Sequence, residues 1–187
     1  MSAAELDLLT VQRLLPFAGA QRMSVLLGAG ASVAAGLPDW DELATQLLQQ
    51  SGTIDDEETA RAFLIRQDPM LAAEAARTIT GDLDGVWVEL VRRVLYPESE
   101  GEPEPAALHL AVASLAARRQ AGEVGLFTLN FDVLIERALE VALDELDAPS
   151  EVRIHSRGSE FPRALRQEFE VHHLHGYLGR SYVGLGG

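Results

Sequence analysis

Residues 23–32 read MSVLLGAGAS, and this stretch decides the fold. A run that is apolar on both faces and closed by glycine is typical of a strand buried on both faces of a parallel sheet, and the turn after it leads toward a helix. Glycine has no Cβ, so the backbone can turn tightly there and approach a bound group closely. Free N–H groups at the start of a helix favour an anion such as a pyrophosphate. The stretch predicts a phosphate-binding turn, with a plain strand-to-helix turn as the alternative. Its candidate binding residues are Gly28, Ala29, Gly30 and Ser32.

The rest of the chain alternates helical and strand patterns. Further strands are predicted at 124–129, 151–154 and 169–174, and helices at 4–18, 40–50, 55–67, 69–80, 82–96, 105–120 and 131–146. The acidic, proline-rich segment 97–105 is predicted to be a loop. We therefore expect an α/β fold: a Rossmann-like parallel sheet with helices on both faces and a helical insertion at about residues 40–120. The length of 187 residues suits one domain over residues 1–187.

Composition excludes several classes of function. The chain has 29 acidic and 15 basic residues and a formal net charge of −14, which repels phosphate backbones and anionic lipid. We therefore expect no nucleic-acid partner for the chain by itself and no membrane partner. The absence of cysteine excludes disulfides, a thiol nucleophile and cysteine-ligated zinc. No basic region precedes the first apolar residues, so we expect no signal peptide and a cytoplasmic location.

Polar side chains follow the second predicted strand. Asn130 offers an amide donor and a carbonyl acceptor, suited to orienting a ribose hydroxyl or a water molecule. Asp132 could accept a hydrogen bond from a carboxamide. Both side chains are also good helix N-caps, and capping of the helix that follows is the alternative interpretation.

Three histidines stand close together near the last predicted strand. If the strand continued, His173 and His175 would share one face. A metal site needs a further ligand at suitable geometry, so we expect no metal here. A histidine at a strand end, followed by glycine, suits a general base, and this indicates His175. We interpret His109 and His155 as ordinary surface or helix residues.

Residues 28–40, GAGASVAAGLPDW, resemble the glycine-rich NAD-binding segment of the sirtuin (SIR2-like) superfamily. Segment 128–132, TLNFD, resembles its Asn-x-Asp motif, and 174–176, LHG, its His-Gly motif. The resemblance implies NAD as the bound molecule. It implies NAD-binding roles for Gly28, Ala29, Gly30, Ser32, Pro38, Asp39, Trp40 and Asp132, and catalytic roles for Asn130 and His175. In the family, the Asn lies beside the nicotinamide ribose, the Asp contacts the nicotinamide amide and the His is the base.

Departures from the family pattern indicate a branch. Asp41 stands where deacylating sirtuins usually have Arg, and the zinc-binding cysteines of those enzymes are absent. The sequence WDEL at 40–43 is similar to the bacterial SIR2-like NADase branch, which implies an NAD+ hydrolase in antiphage defence, with NAD as substrate and no zinc. Family domains continue well beyond the His-Gly motif, so we expect the C-terminal portion of the domain to be absent. We then expect a homo-oligomer, or a partner protein that completes the pocket.

Three alternatives remain open. The first is a non-catalytic NAD- or ADP-ribose-binding SIR2-like module that acts with a partner protein. The second is a protein deacylase that functions without zinc. The third is an unrelated helical α/β interaction protein.

Overall fold

The structure is a computed structural model that describes residues 22–81, 85–97, 103–119, 123–147, 151–156 and 168–178. Its strands are β1 (Met23–Leu27), β2 (Val124–Thr128), β3 (Glu151–Ser156) and β4 (Glu168–His173). Its helices are α1 (Gly30–Val33), α2 (Trp40–Gln50), α3 (Glu57–Leu64), α4 (Pro69–Thr80), α5 (Val86–Leu95), α6 (Ala107–Ala117) and α7 (Leu134–Glu145). The helix expected at 4–18 and most of the loop at 97–105 lie outside the described residues.

All four strands pair in parallel in one sheet, in the order β1-β2-β4-β3. Five of the helices, α1 to α5, follow β1, and α6 leads into β2. The predicted class, an α/β fold with a Rossmann-like parallel sheet flanked by helices, is confirmed.

Strand β1 is less buried than the sequence predicts. Leu27 packs into the sheet core, whereas Leu26, on the opposite face of the strand, is 58% exposed. Within the described sheet β1 is an edge strand, because it pairs with β2 alone. The expectation that both faces are buried is therefore wrong for the face that carries Leu26.

Aspartates begin three of the helices between β1 and β2. The side chains of Asp39, Asp56 and Asp68 each accept a backbone N–H of the first turn, at 2.7 to 2.9 Å. Such caps satisfy donors that have no partner within the helix, and they complement the positive end of its dipole. Pro69 at the first position of α4 further favours a start there, because its fixed φ suits a helix. These local signals explain why α2 and α4 begin where the sequence predicts.

Two clusters of buried apolar side chains form the core. One belongs to the helical segment between β1 and β2 and includes Leu48, and the other covers the sheet around Leu126. Helix α7 contributes to both clusters, with Leu134 in the first and Ile135 in the second. The start of α7 therefore lies where the helical segment meets the sheet, next to the residues that follow β2.

Candidate functional site

The carboxyl ends of the strands lie side by side. Leu27 is in register with Thr128, Thr128 with His173, and His173 with Ser156. Because the strands are parallel, the segments that follow β1, β2 and β4 all leave the sheet at this edge. Ligands of open α/β sheets bind at such an edge.

The glycine turn after β1 leaves open space. Ala29 has φ −53° and ψ −34°, ordinary right-handed helical values, and neither Gly28 nor Gly30 has a positive φ. A Cβ built at either glycine would meet no atom within 4 Å. The expectation that glycine is needed for a tight turn is therefore wrong, because the backbone here is accessible to any residue. What the glycines provide is room beside the backbone.

Ser32, in α1, is the centre of a buried hydrogen-bond network. It is 2% exposed, and its hydroxyl donates to Oδ2 of Asp132 at 2.8 Å. The Ser32 hydroxyl oxygen also accepts a hydrogen bond from Nδ2 of Asn130 at 2.9 Å. Nε2 of His109 lies 3.4 Å from it. Ser32 thus joins the glycine turn to both polar residues that follow β2.

His109 is not the ordinary surface or helix residue that we expected. It is 1% exposed, in the first turn of α6, and its Nδ1 accepts the backbone N–H of Ala106 at 3.2 Å. The ring hydrogen is therefore on Nε2, which points toward the Ser32 hydroxyl. Burial lowers the His109 pKa from its ordinary value, against the opposing charges of Asp132 and Glu136. A neutral His109 supports the network.

Asn130 is 7% exposed and is held at several atoms. Its Nδ2 donates to the Gly28 carbonyl oxygen at 3.1 Å and to the Ser32 hydroxyl. Its backbone N–H donates to Oγ1 of Thr128 at 3.0 Å, and its carbonyl oxygen accepts from Nδ1 of His173 at 3.0 Å. The side-chain oxygen, Oδ1, is buried without a hydrogen-bond partner among the described residues. Asn130 therefore presents one free acceptor from a fixed position.

Asp132 is 5% exposed, and each carboxylate oxygen has a protein donor. Oδ2 accepts from Ser32, and Oδ1 accepts the backbone N–H of Leu134 at 3.1 Å, in the first turn of α7. Asp132 thus satisfies a backbone donor in the first turn of α7, although the N-cap residue is Val133, which makes no side-chain capping bond. The Asn130 side chain instead bonds back toward β1.

His173 and Glu136 form a buried pair that the sequence analysis did not identify. Nε2 of His173 lies 2.5 Å from Oε1 of Glu136, and these two residues are 2% and 3% exposed. Burial lowers the His173 pKa, but the hydrogen bond and charge of Glu136, the Asn130 carbonyl and the charge of Asp132 together raise it above its ordinary value. The sequence signal was a charged residue on the apolar stripe of α7, three positions before Leu139.

His175 lies apart from His173. Strand β4 ends at His173, so the alternation that would put both rings on one face does not continue, and His175 is exposed in a turn. The side chain of His155 in β3 is outside the described part of the structure.

Two neighbouring cavities adjoin this edge of the sheet. The smaller, about 20 Å³, has room for about one water molecule and is lined by Asn130 and Asp132. The larger, about 530 Å³, is within the size range of small-molecule sites and is lined by His175 and by apolar side chains of α2, α4 and α5. Trp40, Leu43 and Phe131 line both cavities. Asn130 and His175 therefore face different cavities that have a wall in common.

The structure brings most of the predicted site residues together. Lining the smaller cavity are Ala29, Ser32, Pro38, Asp39, Trp40, Asn130 and Asp132. Gly28 is bonded to Asn130, and Gly30 begins α1 beside it. Asp39 also has a structural task, as the N-cap of α2.

Two absences apply to the described residues. They contain no group of three or more histidine, aspartate or glutamate side chains that could hold a metal ion. Their helices include none with the length and apolar character needed to cross a membrane.

Comparison with known proteins gives one informative similarity. Over 127 residues, 68% of its length, the chain is 32% identical to an NAD-dependent protein deacylase of Ralstonia nicotianae. The match covers 42% of that protein's length. No family model matches the chain. The similarity supports the resemblance to the sirtuin (SIR2-like) superfamily that residues 28–40 carry.

Proposed function

We propose that this chain carries the NAD-binding part of a sirtuin (SIR2-like) domain. The observation that carries the proposal is the bond from Nδ2 of Asn130 to the Gly28 carbonyl oxygen, 3.1 Å long, beside the open space at Gly28 and Gly30. A pyrophosphate needs close approach to backbone N–H groups, and the space at the two glycines allows it. The free Oδ1 of Asn130 is an acceptor suited to a ribose hydroxyl.

The proposed reaction is hydrolysis of the bond between nicotinamide and ribose. A water oxygen bonds to the ribose carbon as the carbon–nitrogen bond breaks. The electron pair of the broken bond stays on the nitrogen and neutralises the nicotinamide ring. The water proton passes to a base, and the products are nicotinamide and ADP-ribose. The enzyme must hold both ends of the dinucleotide and orient the water at that carbon.

His175 is the proposed base and Asn130 the proposed orienting group. In support, His175 lines the larger cavity, and Trp40 and Phe131 form the wall between that cavity and the smaller one beside Asn130. The two rings meet edge to face, with centroids 5.9 Å apart. A nucleotide in the larger cavity would bring its ribose close to His175, and it would approach Asn130 once the wall of Trp40 and Phe131 moved aside. Asp132 is proposed to contact the nicotinamide amide.

Hydrolysis is proposed in preference to protein deacylation. The deacylating branch has a zinc module held by four cysteines, and the sequence contains none. We therefore also propose that the chain uses no zinc and belongs to the NADase branch, with a role in bacterial defence against phage. A phage challenge of cells expressing the wild type or an inactive variant tests that role.

A second candidate is a non-catalytic module that binds NAD or ADP-ribose and acts with a partner protein or a second copy of the chain. Two observations favour it. Both oxygens of Asp132 already have protein donors, and His175 is exposed in a turn rather than held against Asn130. Such a module would bind the nucleotide and release no nicotinamide.

Calorimetry with NAD and ADP-ribose, combined with chromatographic measurement of nicotinamide, separates these functions. Loss of a general base typically lowers the rate by about 10²- to 10⁴-fold, so we expect that loss in His175→Ala. Leu174→Ala is the matched control, because Leu174 is the preceding residue of the same turn and is 41% exposed. An unaltered rate in His175→Ala would refute the assignment of the base.

Three other outcomes select among the remaining functions. Binding without nicotinamide release selects the non-catalytic module. Nicotinamide release that requires an acylated peptide selects a deacylase. No binding of either nucleotide overturns the NAD proposal as a whole.

A further inference from the structure

The pair of His173 and Glu136 holds both ends of the segment that follows β2. The imidazole, at the last residue of β4, contacts the Asn130 carbonyl through Nδ1 and the Glu136 carboxylate through Nε2. Asn130 begins the segment, and Glu136 lies in the first turn of α7, where the segment ends. One buried ring therefore links the sheet to both sides of residues 131–135.

We propose that His173 and Glu136 are positioning residues, which fix Asn130 in the proposed NAD site through a protonated imidazole that donates from both ring nitrogens. The importance of Asn130 for NAD rests on the proposed function, whereas the positioning of Asn130 rests on the geometry of His173 and Glu136. With an ionised Glu136, both partners of the ring are acceptors, a carbonyl oxygen and a carboxylate oxygen, so both bonds exist together only while each nitrogen carries a hydrogen.

The charged groups around the ring favour that state. Glu136 on α7 and Asp132 in the loop before it both favour the protonated ring, and His109 on α6 experiences the same two carboxylates. The Tyr177 ring packs against His173 with centroids 5.5 Å apart. The Glu170 and His172 pair, 3.6 Å apart, lies on the other side of β4.

Loss of one of the two imidazole protons of His173 would release Asn130. A neutral imidazole keeps one hydrogen, and the carboxylate holds it because charge-assisted hydrogen bonds are the stronger ones. Nδ1 would then present a lone pair to the Asn130 carbonyl, and that contact would become repulsive. The Asn130 backbone would move, and with it the side-chain bonds to Gly28 and Ser32.

The variant Glu136→Gln separates this role from simple packing. The glutamine amide has nearly the same shape and can donate to Nε2, so a neutral imidazole keeps its hydrogen on Nδ1 and holds Asn130 at every pH. Glu170→Gln is the matched control, because it makes the same change at the other histidine–glutamate pair of β4.

The test is ¹⁵N NMR of the full chain between pH 6 and 10, with NAD titrations at each pH. In the wild type and in Glu170→Gln, we expect the side-chain amide signals of Asn130 to shift together with the His173 ring nitrogens. NAD binding should weaken about 5- to 10-fold over the same pH range, the loss expected for one hydrogen bond. In Glu136→Gln both changes should be absent.

The outcomes distinguish the two proposals. Asn130 signals that ignore the His173 titration, or that follow it equally in Glu136→Gln, overturn the positioning role. A neutral His173 at pH 7, with its hydrogen on either ring nitrogen, also overturns it. A wild type that shows the coupled NMR shifts and binds no NAD overturns only the proposed function.

Discussion

The side-chain amide of Asn130 donates a hydrogen bond to the carbonyl oxygen of Gly28, although 102 positions separate the two residues. This bond joins the turn after β1 to the segment after β2, and Ser32 adds a second connection through Nδ2 of the same amide. With both Nδ2 hydrogens used within the protein, the side-chain oxygen is the part of Asn130 that is left for a ligand.

Gly28→Ala should reduce NAD binding without reducing stability. The added methyl group meets no atom within 4 Å, and replacing glycine restricts the unfolded chain, so the free energy of unfolding should stay the same or rise by up to about 1 kcal/mol. NAD affinity should fall about tenfold or more, because the methyl group fills the space beside the backbone. Urea unfolding and calorimetry measure the two quantities.

Gly36→Ala is the control for that substitution. Gly36 has φ +87° and also has open space at its Cβ position, so alanine is strained there for conformational reasons alone. The variant should lose about 1 kcal/mol of stability. If Gly28→Ala is destabilised as much as Gly36→Ala, the glycine serves the fold and not a ligand.

Ser32→Ala should destabilise the protein by about 1 to 3 kcal/mol. The substitution removes the donor to Oδ2 of Asp132 and the acceptor of Asn130 Nδ2, and both groups are buried. Ser24→Ala is a suitable control, because Ser24 is exposed on β1 and its loss should change stability by about 0.5 kcal/mol at most. Equal unfolding midpoints for the two variants would show that the Ser32 network contributes little.

Stability should decrease on both sides of a maximum as pH is varied. The pKa of His173 is raised in the folded state, so its contribution is fully present below the unfolded value of about 6.5 and is lost as pH rises through the folded pKa. The pKa of His109 is lowered, so its burial costs stability as pH falls from about 6.5 through the folded pKa. Glu136→Gln should flatten the basic side, and His109→Gln the acidic side. Chemical denaturation across pH 5 to 9 measures both effects, and an unchanged profile in Glu136→Gln would contradict the assignment of His173.

Much of the fold follows from local patterns. The bounds of α2 and α4 agree with the sequence analysis because Asp39 and Asp68 give each helix a definite start. Strand β2 buries Val124, Leu126 and Thr128 on one face, while Phe127 on the other face is only partly buried, so the burial on both faces that its apolar run predicts is incomplete. The exposure of Leu26 was not predictable from its own segment, because it depends on which other elements pack against that face of β1.

The site was predictable in its residue types and less so in its contacts. The glycine turn and Asn130 have recognisable motifs, and parallel strand ends explain why they meet. The Ser32 contact of His109 and the partners of His173 come from other elements and have no local signature. Glu136 left a weak signal, as a carboxylate on the apolar stripe of α7, but the identity of its partner depends on how α7 crosses β4.

Intrinsic fluorescence should show where a bound nucleotide lies. The protein has two tryptophans, Trp40 and Trp87, and both line the larger cavity. Trp40 also lines the smaller cavity beside Asn130. NAD that occupies the larger cavity should change the emission of both rings, so Trp40→Phe and Trp87→Phe should each lose part of the signal.

The division of that signal distinguishes two binding positions. A nucleotide confined to the side of Asn130 should leave the response of Trp87→Phe intact and abolish that of Trp40→Phe. Titrations corrected for NAD absorbance with a tryptophan amide standard provide the measurement. A full response in Trp40→Phe would place the ligand away from the wall that Trp40 and Phe131 form. That result would contradict the proposal that one nucleotide lies close to both His175 and Asn130.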